Sequence, residues 1–444
     1  MTGGHAEEVY WPESATELAD VLRQCSEKRR PVTVSGAGTG VVGGRVPIGG
    51  VVLALERLAS IGEPRAESDA ARITVQAGAP LETVQRAAAA AGWLYPPDPT
   101  ETSAAIGGTI ATNASGARSF RYGPTRAWVE SLSGFLADGT PFELHRGQTV
   151  EKAGRLAMPL ANGRVLDIPA PDWSMPSTRK HAAGYFSARG MDLIDLLIGS
   201  EGTLAVIVEA ELRLLPAPEE LLTGVLMFTE EWRALEFVVA ARGEDSGRSG
   251  SRAFVVEPIS LELFDGASLD LLRRRGAGVC SSARAAIFFE QPVYGGEDRD
   301  AWLAAYAELA DRFGALDASW LAGSREEARC IRELRHELPV AINETLARRG
   351  VAKLSTDTAV PSGTVNELLA AYREVLDRAE IEHVAFGHVG DDHLHLNLLA
   401  RDPDHWCEAR RVYDRLIGLA VEHGREGSAE QGRGKHKPDA RKKR

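Results

Sequence analysis

The rhythm of apolar and polar positions changes several times along the chain. Ser14-Ala15-Thr16-Glu17 fits a capping box and predicts a helix to about Arg29. PVTVS (Pro31–Ser35), VVLALE (Val51–Glu56) and RITVQA (Arg72–Ala77) predict short strands. Pro80 at the start and Gly92 past the end frame PLETVQRAAAAAG as a helix. A strand follows near Ala127–Leu136, turned back at Asp138-Gly139 as a hairpin. Ala205–Leu215 alternates as a strand with one buried face. Residues 151–178 carry no clear pattern. From about Ala217, GVLMF, EEWRALEFVVAAR, RAFVVE, LELFDGASLDLLR, RAAIFFE and DRDAWLAAYAELADRF alternate strand and helix in turn. That alternation fits parallel βαβ units. It also fits an antiparallel sheet with helices on one face.

Three stretches interrupt these rhythms. Gly36–Gly50, GAGTGVVGGRVPIGG, holds seven glycines. Gly38-x-Gly40-x-x-Gly43 spells a dinucleotide fingerprint after a strand, and Glu56 stands where a ribose-binding acid could sit. The fingerprint needs a following helix, which Gly43, Gly44, Pro47, Gly49 and Gly50 forbid. A wide loop whose N–H groups face a pyrophosphate is the better reading. Pro96–Gly123, PPDPTETSAAIGGTIATNASGARSFRYG, has three prolines and four glycines in 28 residues, so it reads as a chain of turns around a strand-like TIATN. Its small side chains would let the backbone approach a flat or phosphorylated group; the alternative is a buried crossover loop. Ile198–Leu204, IGSEGTL, is a tight turn or a third such approach.

The sharpest chemical signal is Phe386–Asn397, FGHVGDDHLHLN. A strand from His393 puts His393, His395 and Asn397 on one face, and His388 can fold back across the Gly390 turn. Two imidazoles plus a carboxylate make an open divalent-metal site, most often zinc. The alternative is a set of hydrogen-bonded core histidines. RHELP (Arg335–Pro339) offers a planar guanidinium fork suited to a carboxylate.

At 444 residues the chain has room for two or three domains, with ordinary values of 44% hydrophobic and 26% charged residues. A net charge of −12 argues against a nucleic-acid partner. Cys25, Cys280, Cys330 and Cys407 form no CxxC motif, as expected of scattered reduced thiols in a cytoplasmic protein without an iron–sulfur cluster. No apolar signal core and no transmembrane segment is present, so membrane contact would come through a partner at the inner face. The tail KHKPDARKKR reads as disordered.

The stretch Pro96–Gly123 resembles the flavin-contacting loop of the vanillyl-alcohol oxidase / p-cresol methylhydroxylase class of FAD enzymes. Within it, the match is similar to FAD-linked D-lactate dehydrogenases, the glycolate oxidase D subunit and D-2-hydroxyglutarate dehydrogenases. It runs through Pro96, Asp98, Pro99, Gly107, Gly108, Asn113, Ala114, Gly116, Tyr122 and Gly123. Gly36, Gly38, Thr39 and Gly44 match the family's first diphosphate loop, and GSEGTL matches its later one. The resemblance implies an α+β fold: a PCMH-type FAD-binding domain of two subdomains (1–216), an α+β, ferredoxin-like substrate cap (217–420) and a short return to the flavin (421–444). The implied FAD contacts are Gly36, Ala37, Gly38, Thr39, Gly40, Gly43, Gly44, Pro96, Asp98, Gly107, Gly108, Asn113, Ser115, Gly116, Gly199, Glu201, Gly202 and Ile207. Arg335 matches the substrate-carboxylate Arg, LSTDTAVP (Leu354–Pro361) the strand leading to the active site, and Asn397 a substrate position. His388, His395 and Glu430 match the ligands of a divalent metal, zinc being the expectation. The implied reaction oxidises a small D-2-hydroxy acid to the 2-oxo acid, passing electrons to a cytochrome, a quinone or an electron-transfer flavoprotein.

The chain departs from the family at telling places. Ser35 stands where many relatives carry Arg or Lys, Ala205 where a Gly is usual, and FSARGM (Phe186–Met191) is an added segment. Asp392-His393 replaces the Gly-Asn of many members, DNH or DDH versions marking a sub-branch. In GSAEQGRGK, Gln431 replaces the His that serves as proton-abstracting base, and an amide cannot take a proton at neutral pH. His393 then becomes the candidate base among the catalytic set Arg335, His393, Asn397 and Gln431; otherwise metal and flavin suffice. Relatives continue past this motif, so the site would be less enclosed here, or completed by a homodimer or complex partner. The competing expectation is a non-catalytic or weakly active flavin-binding subunit of a larger oxidase complex.

Overall fold

The computed structural model describes residues 3–244, 256–422 and 429–430. β1 (Glu8–Tyr10), β2 (Val32–Ser35) and β3 (Val51–Ala54) form a parallel sheet in the order β1-β3-β2. Helix α1 (Ala15–Glu27) packs Leu18 and Leu22 with Val51 and Leu53 of that sheet. The Ser14 hydroxyl accepts from the Glu17 N–H, and the Glu17 carboxylate accepts from Glu13 N–H, one residue before the usual capping-box donor. No helix intervenes between β2 and β3, as the glycines and Pro47 of that loop require.

A second, antiparallel sheet is built from β4 (Arg65–Ala66), β5 (Ala71–Gln76), β6 (Trp93–Leu94), β7 (Val129–Phe135), β8 (Pro141–His145) and, after a separate hairpin of β9 (Arg155–Pro159) with β10 (Val165–Pro169), β11 (Val206–Pro216). The order is β4-β5-β11-β7-β8, with β6 on the end of β11. Its apolar face, including Ile73, Leu132 and Leu212, packs against α2 (Leu81–Ala90), α3 (Ile106–Thr112) and α5 (Leu193–Leu197); the short α4 (Ser119–Tyr122) lies between α3 and β7. The hairpin at Asp138-Gly139 and the strand Ala205–Leu215 stand where expected.

The strand-like TIATN is instead helical, as part of α3. Ile106, Thr109 and Ile110 are all buried, and their spacing is one helical face. Glycine suits this helix because Gly107 presses on the sheet: a Cβ there would lie 2.7 Å from Ala77 Cβ. Asn113 ends the helix at φ 49°, a left-handed cap.

The third sheet has eight strands, all paired antiparallel: β12 (Glu220–Phe228), β13 (Ser260–Asp265), β14 (Ala285–Val293), β15 (Trp320–Leu321), β16 (Leu354–Ser355), β17 (Thr358–Ala359), β18 (His383–Gly387) and β19 (His393–Leu398). Their order is β15-β12-β14-β13-β18-β19-β16, with β17 also on β19. Parallel βαβ units are therefore excluded. Five helices connect them, α6 (Glu231–Ala241), α7 (Gly266–Arg274), α8 (Arg299–Arg312), α9 (Arg325–Arg348) and α10 (Val365–Ala379), and α11 (Pro403–Glu422) follows β19. Helices cover both faces, not one: α6, α8, α10 and α11 on one side, α7 and α9 on the other. The cause is visible in β14, where Ile287 and Phe289 point one way, Ala286 and Phe288 the other, and all nine residues are buried.

LELFDGASLDLLR is likewise not one helix. Its first part is β13, and the Asp265 carboxylate caps α7 by accepting from Ser268 N–H. RAFVVE lies mostly outside the described residues. All four cysteines are free thiols, and no described helix is long and apolar enough to cross a membrane.

Phe289 is fully buried in the third sheet and stacks on Tyr306 with ring centroids 4.0 Å apart. Phe289→Ala should cost about 3–5 kcal/mol. Urea unfolding should show a lower midpoint with the slope unchanged.

Candidate active site

The three glycine-rich bends converge on α3. Gly36 abuts Ala105, where a Cβ would meet the alanine Cβ at 3.3 Å. Gly199 N–H donates to Ile110 O at 3.0 Å and Glu201 N–H to Ala111 O at 2.8 Å, so the IGSEGTL turn wraps the far end of the same helix. Gly116 lies against the Asp98 carbonyl, at a place where a Cβ would sit 1.8 Å from that oxygen. Among the described residues, no N–H from Gly36 to Arg45 donates a hydrogen bond. Cβ atoms built at Gly40, Gly44, Gly108 and Gly202 meet only open space. Bare amides beside side-chain-free backbone suit a dinucleotide diphosphate, so these residues fit FAD. The Arg45 guanidinium lies over Gly38, itself at φ +80°.

Other expected flavin contacts are turned toward protein. Asn113 Oδ1 accepts from Arg126 N–H at 2.9 Å, and Asp98 faces Arg118 Nε at 3.5 Å. Ser115 Oγ donates to Glu430 Oε1 at 3.3 Å. Pro96 is buried, and Ile207 is buried in β11 beside Gly134 of β7; Ala37, Thr39 and Gly43 belong to the bare-amide loop.

The histidine motif folds as its alternation implies, with one addition. β19 carries His393 and His395, and a 3₁₀ turn over Val389–Asp391 brings His388 back to them. The ring centroids lie 4.6 to 5.6 Å apart. Each imidazole is held from behind by an atom that can only accept. His388 Nδ1 donates to Glu262 Oε1 (2.7 Å), His393 Nε2 to Asp357 Oδ1 (3.0 Å) and His395 Nδ1 to the Thr356 carbonyl (3.2 Å). These partners fix the tautomers and turn the opposite nitrogens toward Glu430. His388 Nε2 lies 3.2 Å from Glu430 Oε1, His395 Nε2 3.5 Å from Oε2, and His393 Nδ1 4.0 Å from Oε1.

Burial works against charge on His388, but Glu430 and Glu262 prevail and raise its pKa to about 9. Burial also pushes the Glu430 carboxyl up, yet His388 and Lys180 hold it well below the usual range. The cluster thus demands positive charge, as protons or as metal. His393 is brought down to about 3, chiefly by burial, so it is a neutral imidazole. The donor chemistry and convergence fit a divalent ion.

Lys180, from the KHAAG segment, is 1% exposed. Its ammonium donates to Gly116 O (2.8 Å) and Glu430 Oε1 (2.7 Å), and lies 3.2 Å from Asp391 Oδ2. It joins the Pro96–Gly123 stretch, the 3₁₀ turn after β18 and Glu430 in one contact. Asn397 is fully buried, its Oδ1 without a hydrogen-bond partner.

Arg335 sits on α9 one turn before Pro339, whose missing N–H leaves the Arg335 carbonyl without its usual helical donor. Its guanidinium is already held by Glu262, with Nε to Oε2 at 2.5 Å and Nη2 to Oε1 at 2.8 Å. A protein carboxylate therefore occupies one edge of the fork expected for substrate. Burial disfavours the charge, but Glu262 raises the guanidinium's pKa further. Arg335, Glu262, His388, His395, Phe386 and Thr100 line one cavity, which runs from the flavin loop to the histidines.

The structure thus brings Arg335, His388, His393, His395 and Glu430 to one place, while Gln431 lies outside the described residues. Sequence reasoning missed Glu262 and Asp357 and gave Lys180 no role. Glu262 had a signal: an acid within the apolar run of SLELF.

The FAD binding domain family matches residues 6–145, and the family of FAD linked oxidases, C-terminal domain, matches residues 229–443. D-2-hydroxyglutarate dehydrogenase of Xanthomonas citri pv. viticola is 31% identical, over 93% of this chain and 76% of that protein. Glycolate oxidase subunit GlcD of Bacillus subtilis and a D-lactate dehydrogenase of Anaerostipes hadrus are each 28% identical, over 97% and 96% of this chain and 81% of each relative. Among solved structures, an alkyldihydroxyacetonephosphate synthase superposes with a TM-score of 0.65 at 14% identity, covering 94% of this chain and 72% of that one.

Replacing Lys180 with Met leaves Asp391 and Glu430 buried without their shared cation. Breaking such a buried pair costs about 3–5 kcal/mol. Denaturation of the Lys180→Met variant should show that loss, and adding Asp391→Asn should recover part of it.

Proposed function

The chain belongs to the FAD-linked oxidase family as an oxidoreductase of the D-lactate, glycolate and D-2-hydroxyglutarate dehydrogenase type, and we propose that it oxidises a small D-2-hydroxy acid to the 2-oxo acid with a divalent ion assisting. Residues 1–216 form the FAD-binding part in this reading, 217–420 the substrate cap and 421–444 the return to the flavin. The observation that carries it is the shared cavity. A guanidinium and two tautomer-fixed imidazoles line one space that reaches Thr100 of the flavin loop.

Arg335 receives the substrate carboxylate. Glu262 uses Nε and one Nη2 proton, and the Nη1 end makes no hydrogen bond among the described residues. His388, His395 and Glu430 hold the divalent ion, zinc by donor preference, which supplies Lewis acidity toward the hydroxyl oxygen. Glu262 orients both the guanidinium and His388, so the sites for the acid's two oxygen-bearing groups share one anchor. Asn397 presents an unpaired carbonyl oxygen beside His395. FAD supplies the hydride acceptor. Electrons then leave to a cytochrome, a quinone or an electron-transfer flavoprotein.

Anaerobic addition of D-lactate, glycolate or D-2-hydroxyglutarate should bleach the flavin absorption, and L-lactate and L-2-hydroxyglutarate should not. Bleaching by no acid points instead to a flavin-binding subunit without catalysis. Arg335→Lys keeps the charge but loses the fork, and should raise KM about 10- to 100-fold with flavin content unchanged.

A further inference from the structure

We propose that His393 is a fourth protein ligand of the divalent ion, making the site three imidazoles and one carboxylate. This rests on the metal reading above and adds the residue that the chain carries where the family resemblance expects Asn. Three observations converge on it.

His393 Nδ1 is a buried polar atom without a hydrogen-bond partner, on a side chain that is 0% exposed. Such an orphan is costly unless something fills its direction. His393 is also prepared as His388 and His395 are, its far nitrogen donating to an acceptor behind it, here the Asp357 carboxylate at 3.0 Å. A carboxylate behind the ring is the usual support of a metal-binding imidazole, since it fixes the tautomer and strengthens the donor.

The distances agree. Metal–nitrogen bonds of about 2.0–2.1 Å place neighbouring donors of a tetrahedron roughly 3.3 Å apart. Glu430 stands 3.2, 3.5 and 4.0 Å from the three converging nitrogens, and all four ligand atoms lie within 4.8 Å of one another. Closing the widest spacing among the four ligand atoms takes about 1.5 Å, within the reach of side-chain movement.

The rival role for His393 is that of substrate base. Its position speaks against this: His388 and His395 line the cavity beside Arg335, and His393 does not. It lies behind them, its Nε2 on Asp357 and its Nδ1 toward Glu430. A fourth protein donor has a chemical consequence. Tetrahedral zinc would be closed by protein alone, so an ion that also binds a hydroxy acid here must accept five or six ligands. Three imidazoles also select a first-row transition ion over Mg2+.

The test uses the full-length holoprotein after chelator treatment, titrated with Zn2+ and followed by metal analysis after equilibrium dialysis. Zn K-edge X-ray absorption then counts the imidazoles. The wild type should show three, and His393→Asn should show two, with Zn2+ affinity about 100-fold weaker or more. His393→Cys should place a sulfur scatterer at about 2.3 Å. FAD content and the denaturation midpoint report whether each variant is folded, and the wild-type spectrum alone still counts ligands if both variants unfold. Two imidazoles in the wild type, or an affinity unchanged within threefold in a folded His393→Asn, overturns the proposal. Loss of binding in Glu430→Gln would then show that the three-ligand reading survives. A wild type that takes up no Zn2+, Co2+ or Mn2+ overturns both.

Discussion

Glu430 is a carboxylate in a place that water scarcely reaches, and the architecture of the site follows from what it needs. An ion withdrawn from water costs several kcal/mol unless partners surround it. Here they come from different parts of the chain. Lys180 arrives after the hairpin of β9 and β10, Ser115 from the turn after α3, His388 from the turn after β18 and His395 from β19. Asp357 takes the Glu430 N–H, fixing the backbone as well. The loops after α3 and β10 and the third sheet are held in register by one negative charge, and the imidazoles are aimed by the same demand.

The local elements were legible because their causes are local. Ser14 and Glu17, Pro80 and Gly92, and Asp138-Gly139 each set a boundary through a cap or turn that needs no distant residue. The period of two in HLHLN likewise placed the histidines together. What failed depended on packing. TIATN reads as strand by composition, yet Ile106, Thr109 and Ile110 find a sheet beneath them at helical spacing. LELFD reads as helix beside GASLDLLR, yet β14 and β18 wait on either side of it. The cap's second layer of helices was hidden in the same way, since a run apolar on both faces looks like any buried strand.

The chemical residues divide along the same line. Arg335, His388, His395 and Glu430 were recognisable by resemblance and by residue type. Glu262, Asp357 and Thr356 were not, because holding an imidazole from behind leaves no spacing rule in the chain. Asp357 is 36 residues from His393, and Glu262 is 126 from His388. Only folding brings each pair within reach. Lys180 is a related case, since a lysine in the polar run Arg179-Lys180-His181 gives no hint that it is fully enclosed.

The grip of Glu262 on Arg335 bears on how an acid is received. A guanidinium waiting alone in a sealed pocket would draw any anion and release it slowly. This one rests already neutralised, so an arriving acid must share or trade for what the protein holds. In the proposed reading, recognition would add a second carboxylate to a guanidinium already held on one edge, a smaller gain in free energy than a lone buried cation would give.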